Sequence, residues 1–170
     1  DDYAFFIAGL LDLFEVTGEL RWHDAAIALD TLVETDFEDR AGGGYFMTGR
    51  KHEKLIAREK PAYDGAEPSG NSVQVLNLLR LHSLTTKDAY RARAMRALGA
   101  FNAELSQAPA ALAEMLLAVD YWLDRAKEII IVVLRDRRAA EPLLAELRKD
   151  FVPNRVVSIV VPGAAQRMLE

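Results

Sequence analysis

The sequence predicts a mainly α fold of helical hairpins, with a β-hairpin insertion and a C-terminal β-α-β appendage. Three observations carry that prediction. Apolar residues recur at three- and four-residue steps through most of the first 126 positions, as they do on helices with one buried face. A shift of 68 residues sets Leu11 on Leu79, Leu13 on Leu81, Val16 on Leu84, Thr17 on Thr85, Trp22 on Tyr90 and Ala26 on Ala94. Each unit of this repeat is a helix, a short turn and a helix opened by an aromatic, the pattern of stacked helical hairpins. Two apolar, β-branched runs then flank one helical stretch near the C-terminus.

Taken in order, Tyr3, Phe6, Ile7, Leu10, Leu11 and Phe14 give the apolar face of a first helix, which Gly18 stops. A second helix is expected from Arg21 to Asp36, with Trp22, Ala26, Leu29, Leu32 and Val33 inward. After Gly42-Gly43-Gly44, the stretches Tyr45–Thr48 and Lys54–Arg58 surround a Gly-containing turn and read as a hairpin. A third helix begins near Ser69 or Asn71, a fourth spans Asp88–Leu105, and Pro109 opens a fifth that reaches Leu123. From Lys127 the texture changes to strand, helix and strand: Glu128–Leu134, a helix opened by Pro142 and ending near Lys149, then Arg155–Val161. Parallel pairing is expected for such a unit. Arg135-Asp136-Arg137-Arg138 stands where a glycine-rich phosphate loop would follow the first strand, so no dinucleotide cofactor is expected.

Composition narrows the function. The 170 residues suffice for a sizeable core, and 51% hydrophobic with 28% charged residues is ordinary for a globular chain. A net charge of -5 leaves no basic excess for nucleic acid. No apolar run approaches the ~20 residues of a membrane span, and no secretory leader is expected, which makes cytoplasm the default compartment. The absence of cysteine excludes disulfides, thiolate metal sites and cysteine redox chemistry in this segment. His23, His52 and His82 lie in three different elements without ligand spacing, so no metal is expected. The chain opens on Asp1-Asp2-Tyr3 with helical periodicity at once, which suggests a piece of a longer protein whose exposed apolar faces favour self-association.

Chemistry is concentrated in Arg58–Ser72, where three carboxylates, two prolines, two glycines and a tyrosine separate the expected hairpin from an apolar helix. Asp64 and Glu67 are the candidate catalytic pair, one as general acid or base and the other orienting water or a hydroxyl. The alternative is that Asp64 caps a turn with Gly65 and Glu67 is solvated. Ser69 and Asn71 either cap the third helix or, for Asn71, point into a cavity. Arg58, Lys60 and Tyr63 either meet an anionic or hydroxylated ligand or form an exposed basic strand end. Tyr45 and Phe46 suit an aromatic wall against a sugar ring or core packing, and Asp1 and Asp2 suit a helix N-terminus.

Four stretches, Asp1–Phe5, Gly42–Phe46, Asp64-Gly65-Ala66-Glu67-Pro68-Ser69-Gly70-Asn71-Ser72 and Lys127–Val132, occur together in this order. In this the chain resembles the C-terminal part of the YyaL-type, spermatogenesis-associated thioredoxin-domain proteins. The resemblance implies a partial (α/α) six-hairpin toroid over residues 1–126 and the β-α-β appendage over 127–170. It also implies that the remaining hairpins and a thioredoxin-like domain belong to the parent protein as partners of this chain. Kinship with N-acylglucosamine 2-epimerases and six-hairpin glycosidases implies a carbohydrate ligand in a central funnel, with Asp2, Tyr3, Asp64 and Asn71 nearest to it. On that reading Asp64 and Glu67 do acid/base work, while Tyr45, Arg58 and Tyr63 help bind substrate. The alternative is a non-catalytic helical scaffold or protein-interaction module attached to the thioredoxin-like domain.

Overall fold

The computed structural model describes residues 1–51 and 57–161. Its helices are α1 (Asp2–Thr17), α2 (Leu20–Asp36), α3 (Gly70–Thr85), α4 (Asp88–Ala100), α5 (Asn102–Gln107), α6 (Ala113–Leu123) and α7 (Glu141–Leu147). The strands are β1 (Lys127–Val132) and β2 (Arg155–Val160). The described residues are thus mainly helical, with a small parallel sheet.

Local chemistry sets most boundaries. Gly18 adopts the left-handed conformation at φ 59° and closes α1 by donating its N–H to the Phe14 carbonyl. Ser69 opens α3, its Oγ accepting from the Ser72 N–H at 3.2 Å. The long fourth helix of the sequence reading is interrupted at Phe101, which leaves helical geometry and buries its ring with Leu112 and Met115. Pro109 opens a 3₁₀ turn, Pro109–Leu112, ahead of α6. Of the expected hairpin, the described residues show Tyr45 bridging antiparallel to Glu38 and the Met47 N–H meeting the Glu59 carbonyl at 2.8 Å. Lys54–Ile56, most of its second arm, and His52 lie outside the described residues.

α3 is the central helix, packed against α1, α4 and α6, while α2 lies on α1. α1 and α3 run side by side in the same direction. The Asp1 carboxylate accepts from the Gly70 N–H at 2.9 Å at one end, and Arg80 reaches Asp12 and Glu15 at 2.7 Å toward the other. The pairing of Asp12 with Arg80 follows the 68-residue repeat. The core of these helices holds Ile7, Leu11, Phe14, Ala26, Val75, Leu78, Leu81 and Ala94. Two sequence expectations shift here: Phe6 and Leu32 stand exposed, while His23 and Asp30 take buried places on the α2 stripe.

Asp30 is buried because it is paired. The Arg93 guanidinium of α4 grips its two oxygens at 2.5 and 3.2 Å and reaches Glu38 at 2.9 Å, and Arg96 adds a contact to Glu38 at 2.7 Å. Gln74 of α3 donates to Asp30 at 2.7 Å, and Asn77 donates to the Ala4 carbonyl of α1 at 2.8 Å. Polar side chains from α2, α3 and α4 therefore meet inside the bundle. Burial pushes the Asp30 carboxyl up, against the downward pull of Arg93.

β1 and β2 pair in register from Lys127↔Arg155 to Val132↔Val160. One face packs Ile131, Val133, Val157 and Ile159 against Ala140 and Leu144 beneath α7. Val156, on the other face, joins the helical core, and β2 leans on α1 and α3. No helix among the described residues is long and apolar enough to cross a membrane.

Arg93→Leu leaves two buried carboxylates without their shared cation, so it is expected to cost about 3–5 kcal/mol. Equilibrium denaturation checks this, and a loss under about 1 kcal/mol would contradict the role given to the cluster.

Candidate functional site

The described part of the stretch between α2 and α3 is largely irregular, and its polar side chains decide where it lies. Asp64 is half-buried, and its carboxylate accepts four hydrogen bonds. One oxygen takes the Ser69 N–H at 2.7 Å, ahead of α3. The other takes the Glu114 and Met115 N–H groups of α6 at 2.9 and 3.2 Å and the Ser72 hydroxyl at 3.1 Å. The backbone adds Asp64 N–H to the Ala111 carbonyl at 2.8 Å. One carboxylate thus caps α6 and steadies the start of α3, two places where orphan N–H groups and positive helix ends favour an anion.

Asn71 works in the same way. Its Oδ1 accepts from the Tyr45 N–H at 2.7 Å, and its Nδ2 donates to the Tyr45 and Pro61 carbonyls at 2.9 and 2.8 Å. It is buried, and it fastens two loop segments to the first turn of α3. Gly44, at φ 74°, sits so close that an added Cβ would lie 3.2 Å from the Asn71 Oδ1. Gly43, at φ 75°, packs against the Arg96 carbonyl of α4, leaving no room for a side chain. Gly43 and Gly44 are needed for this approach.

Arg58 also turns inward. Its guanidinium donates to the Thr48 and Asp36 carbonyls and lies 4.0 Å over the Phe46 ring. Lys60 pairs with Asp39 at 2.8 Å and donates to the Gly43 carbonyl at 2.9 Å. Tyr45 is buried, and its hydroxyl has no hydrogen-bond partner among the described residues. Burial pushes that hydroxyl's pKa well up. By contrast Asp2, Tyr3, Tyr63 and Glu67 are exposed, with Tyr3 tilted against Phe37 at 5.5 Å between ring centres. Tyr3, Phe37, Tyr45, Phe46, Asn71 and Gln74 line a cleft of about 40 Å³. At roughly 10–15 Å³ per water, that space admits a few waters rather than a sugar ring.

Sequence reasoning missed Glu114, whose carboxyl burial and then the Asp64 charge push up. It also missed Asp30, Glu38 and Arg93, because nothing local marks residues 63 and 55 positions apart as partners. The heptad-like place of Asp30 on the α2 face was the one available signal. No group of side chains suited to a metal ion occurs among the described residues.

The chain matches no family model. Spermatogenesis-associated protein 20 of Rattus norvegicus is 37% identical over 158 residues, which is 92% of this chain and 20% of that protein. The Homo sapiens protein of that name is 36% identical over the same shares. The chain is homologous to spermatogenesis-associated protein 20. It spans about a fifth of the length of these relatives. An uncharacterised protein of Caenorhabditis elegans is 33% identical over 132 residues, 78% of this chain and 18% of that protein.

Asp39 offers a pH test of the loop. Hydrogen bonds from the Gly42 N–H and from Lys60 hold its carboxyl down to about 2, from an ordinary 3.8. A carboxylate depressed in the folded state adds stability above its unfolded pKa, and that share is lost as pH falls through the folded one. The Tm of the chain should therefore fall more steeply than that of Asp39→Asn between pH 3.8 and about 2. Parallel Tm–pH curves would show that the clasp adds nothing.

Proposed function

We propose that this chain is a non-catalytic helical scaffold segment that works inside a longer polypeptide. The observation that carries the reading is the engagement of Asp64: among the described residues, every hydrogen bond its carboxylate accepts comes from a helix start of its own chain. Asn71, Arg58 and Lys60 are likewise committed to backbone carbonyls or to neighbouring charges. These residues place the loop; they do not present chemistry to a ligand. In the longer protein the segment supplies two consecutive hairpins of an (α/α) toroid. What supports this is the parallel pairing of α1 and α3, each followed by a short turn and a return helix, repeated at 68 residues. The remainder of such a polypeptide, including the thioredoxin-like domain that the resemblance implies, is the partner of the scaffold.

A second reading keeps a carbohydrate ligand, and one specific observation favours it. The exposed carboxylates of Asp2 and Glu67 and the exposed rings of Tyr3 and Tyr63 belong to the segments joined by Asp1 and Gly70. Such a mixture of acids and aromatic faces suits sugar hydroxyls and ring faces, and acid/base work on a sugar would then fall to Glu67 or Asp2 at the rim.

Thermal shifts with monosaccharides, amino sugars and uronates, on the chain and on the longer polypeptide, separate the two. A ligand at 100 times its Kd adds about 2.7 kcal/mol. The scaffold reading expects no sugar-specific rise in Tm. A rise in the longer polypeptide that is lost in Tyr3→Ala or Glu67→Gln would overturn it.

A further inference from the structure

The two edges of the β1–β2 sheet are finished differently. Lys127 donates its N–H to the Asn154 carbonyl at 2.8 Å, and Val133 donates to the Val160 carbonyl at 2.9 Å. Alternation along a parallel strand then turns the N–H groups of Glu128, Ile130 and Val132 to the outer edge of β1. Among the described residues nothing accepts them. By the same alternation Val157 faces outward from β2, and there its N–H meets the Glu15 carboxylate at 3.2 Å. Arg80 holds the other oxygen of Glu15 at 2.7 Å. A charged side chain from α1 therefore stops the β2 edge, while no described residue covers the β1 edge.

The face beside that edge is bare as well. Ile130 is 63% and Val132 67% exposed. With Leu84, Ile129, Val156 and Val160 they line a groove of about 220 Å³ between the sheet and the end of α3. Parallel strands are normally covered on both faces, and an apolar, β-branched edge is a template for another strand. The homologous proteins carry about four-fifths of their length outside the match, ample polypeptide to supply one.

We infer that the outer edge of β1 pairs with a β-strand contributed by the polypeptide beyond this chain, whose alternate apolar side chains fill the groove over Ile130 and Val132. The inference rests on the reading that the chain works inside a longer polypeptide. Pairing supplies acceptors for the Ile130 and Val132 amides and makes β1 the middle strand of its sheet. Glu15 excludes the same addition at β2, so growth of the sheet is one-sided.

Amide hydrogen exchange, measured on this chain and on the longer polypeptide, tests the inference. Ile130 and Val132 should exchange at least ~100-fold more slowly in the longer polypeptide, with the Val157 amide unchanged. Val132→Lys should leave the Tm of the chain unaltered, since the side chain is exposed there, and abolish the added protection at Ile130 in the longer polypeptide. Equal exchange in both proteins would overturn the pairing. If the helical core were still stabilised in the longer polypeptide, the scaffold reading would survive that failure. Protection that grows with the concentration of the chain alone would assign the edge to a second copy and overturn the inference too.

Discussion

The placing of the irregular connection between α2 and α3 depends on the Asp64 carboxylate. Two helices, α3 and α6, begin beside it, and each beginning leaves N–H groups without intrahelical partners. A single anion with four acceptor positions answers several of them at once and lies favourably against both positive helix ends. Because α3 is the central helix, fixing its start also fixes the positions of α1, through Asp1, and of the glycine turn, through Asn71. Tertiary capping orders the described end of this connection that leads into α3.

A second constraint operates at the level of the bundle. Arg93 is buried with two acids, and a buried charge group of this kind persists only where geometry and further hydrogen bonds compensate its desolvation. Gln74 of the central helix provides one such bond to Asp30, and Arg96 provides another to Glu38. The result specifies which helix faces meet: Arg93 of α4 must lie against Asp30 of α2, across α3. Apolar packing alone would leave that register less defined, since α3 is buried on most sides.

Local features were legible in the sequence, and distant pairings were not. Gly18, Ser69 and the proline at the start of the turn before α6 speak through their own backbone preferences, so the ends they mark were readable. The β-α-β unit was readable too, because its strands are continuous apolar runs. The inward face of α2 was misjudged because periodicity counts apolar residues. Leu32 satisfied the count but faces solvent, and Asp30 broke it yet lies inside on account of Arg93. Asp64 stood out as a chemical residue, but its partners Glu114 and Met115 are 50 and 51 positions away. Nothing in Asp-Gly-Ala announces a cap for a helix so distant; the loop's composition offered acid/base chemistry or a local turn with Gly65.

The most direct measurement is equilibrium denaturation of Asp64→Asn beside Glu67→Gln. An amide at position 64 turns a donor toward N–H groups that need an acceptor, so the account predicts a loss of about 1–3 kcal/mol. Glu67 is exposed, and its substitution should change stability by no more than about 0.5 kcal/mol. An Asp64→Asn protein as stable as the parent, having lost only a response to ligand, would contradict the structural role and return Asp64 to chemistry.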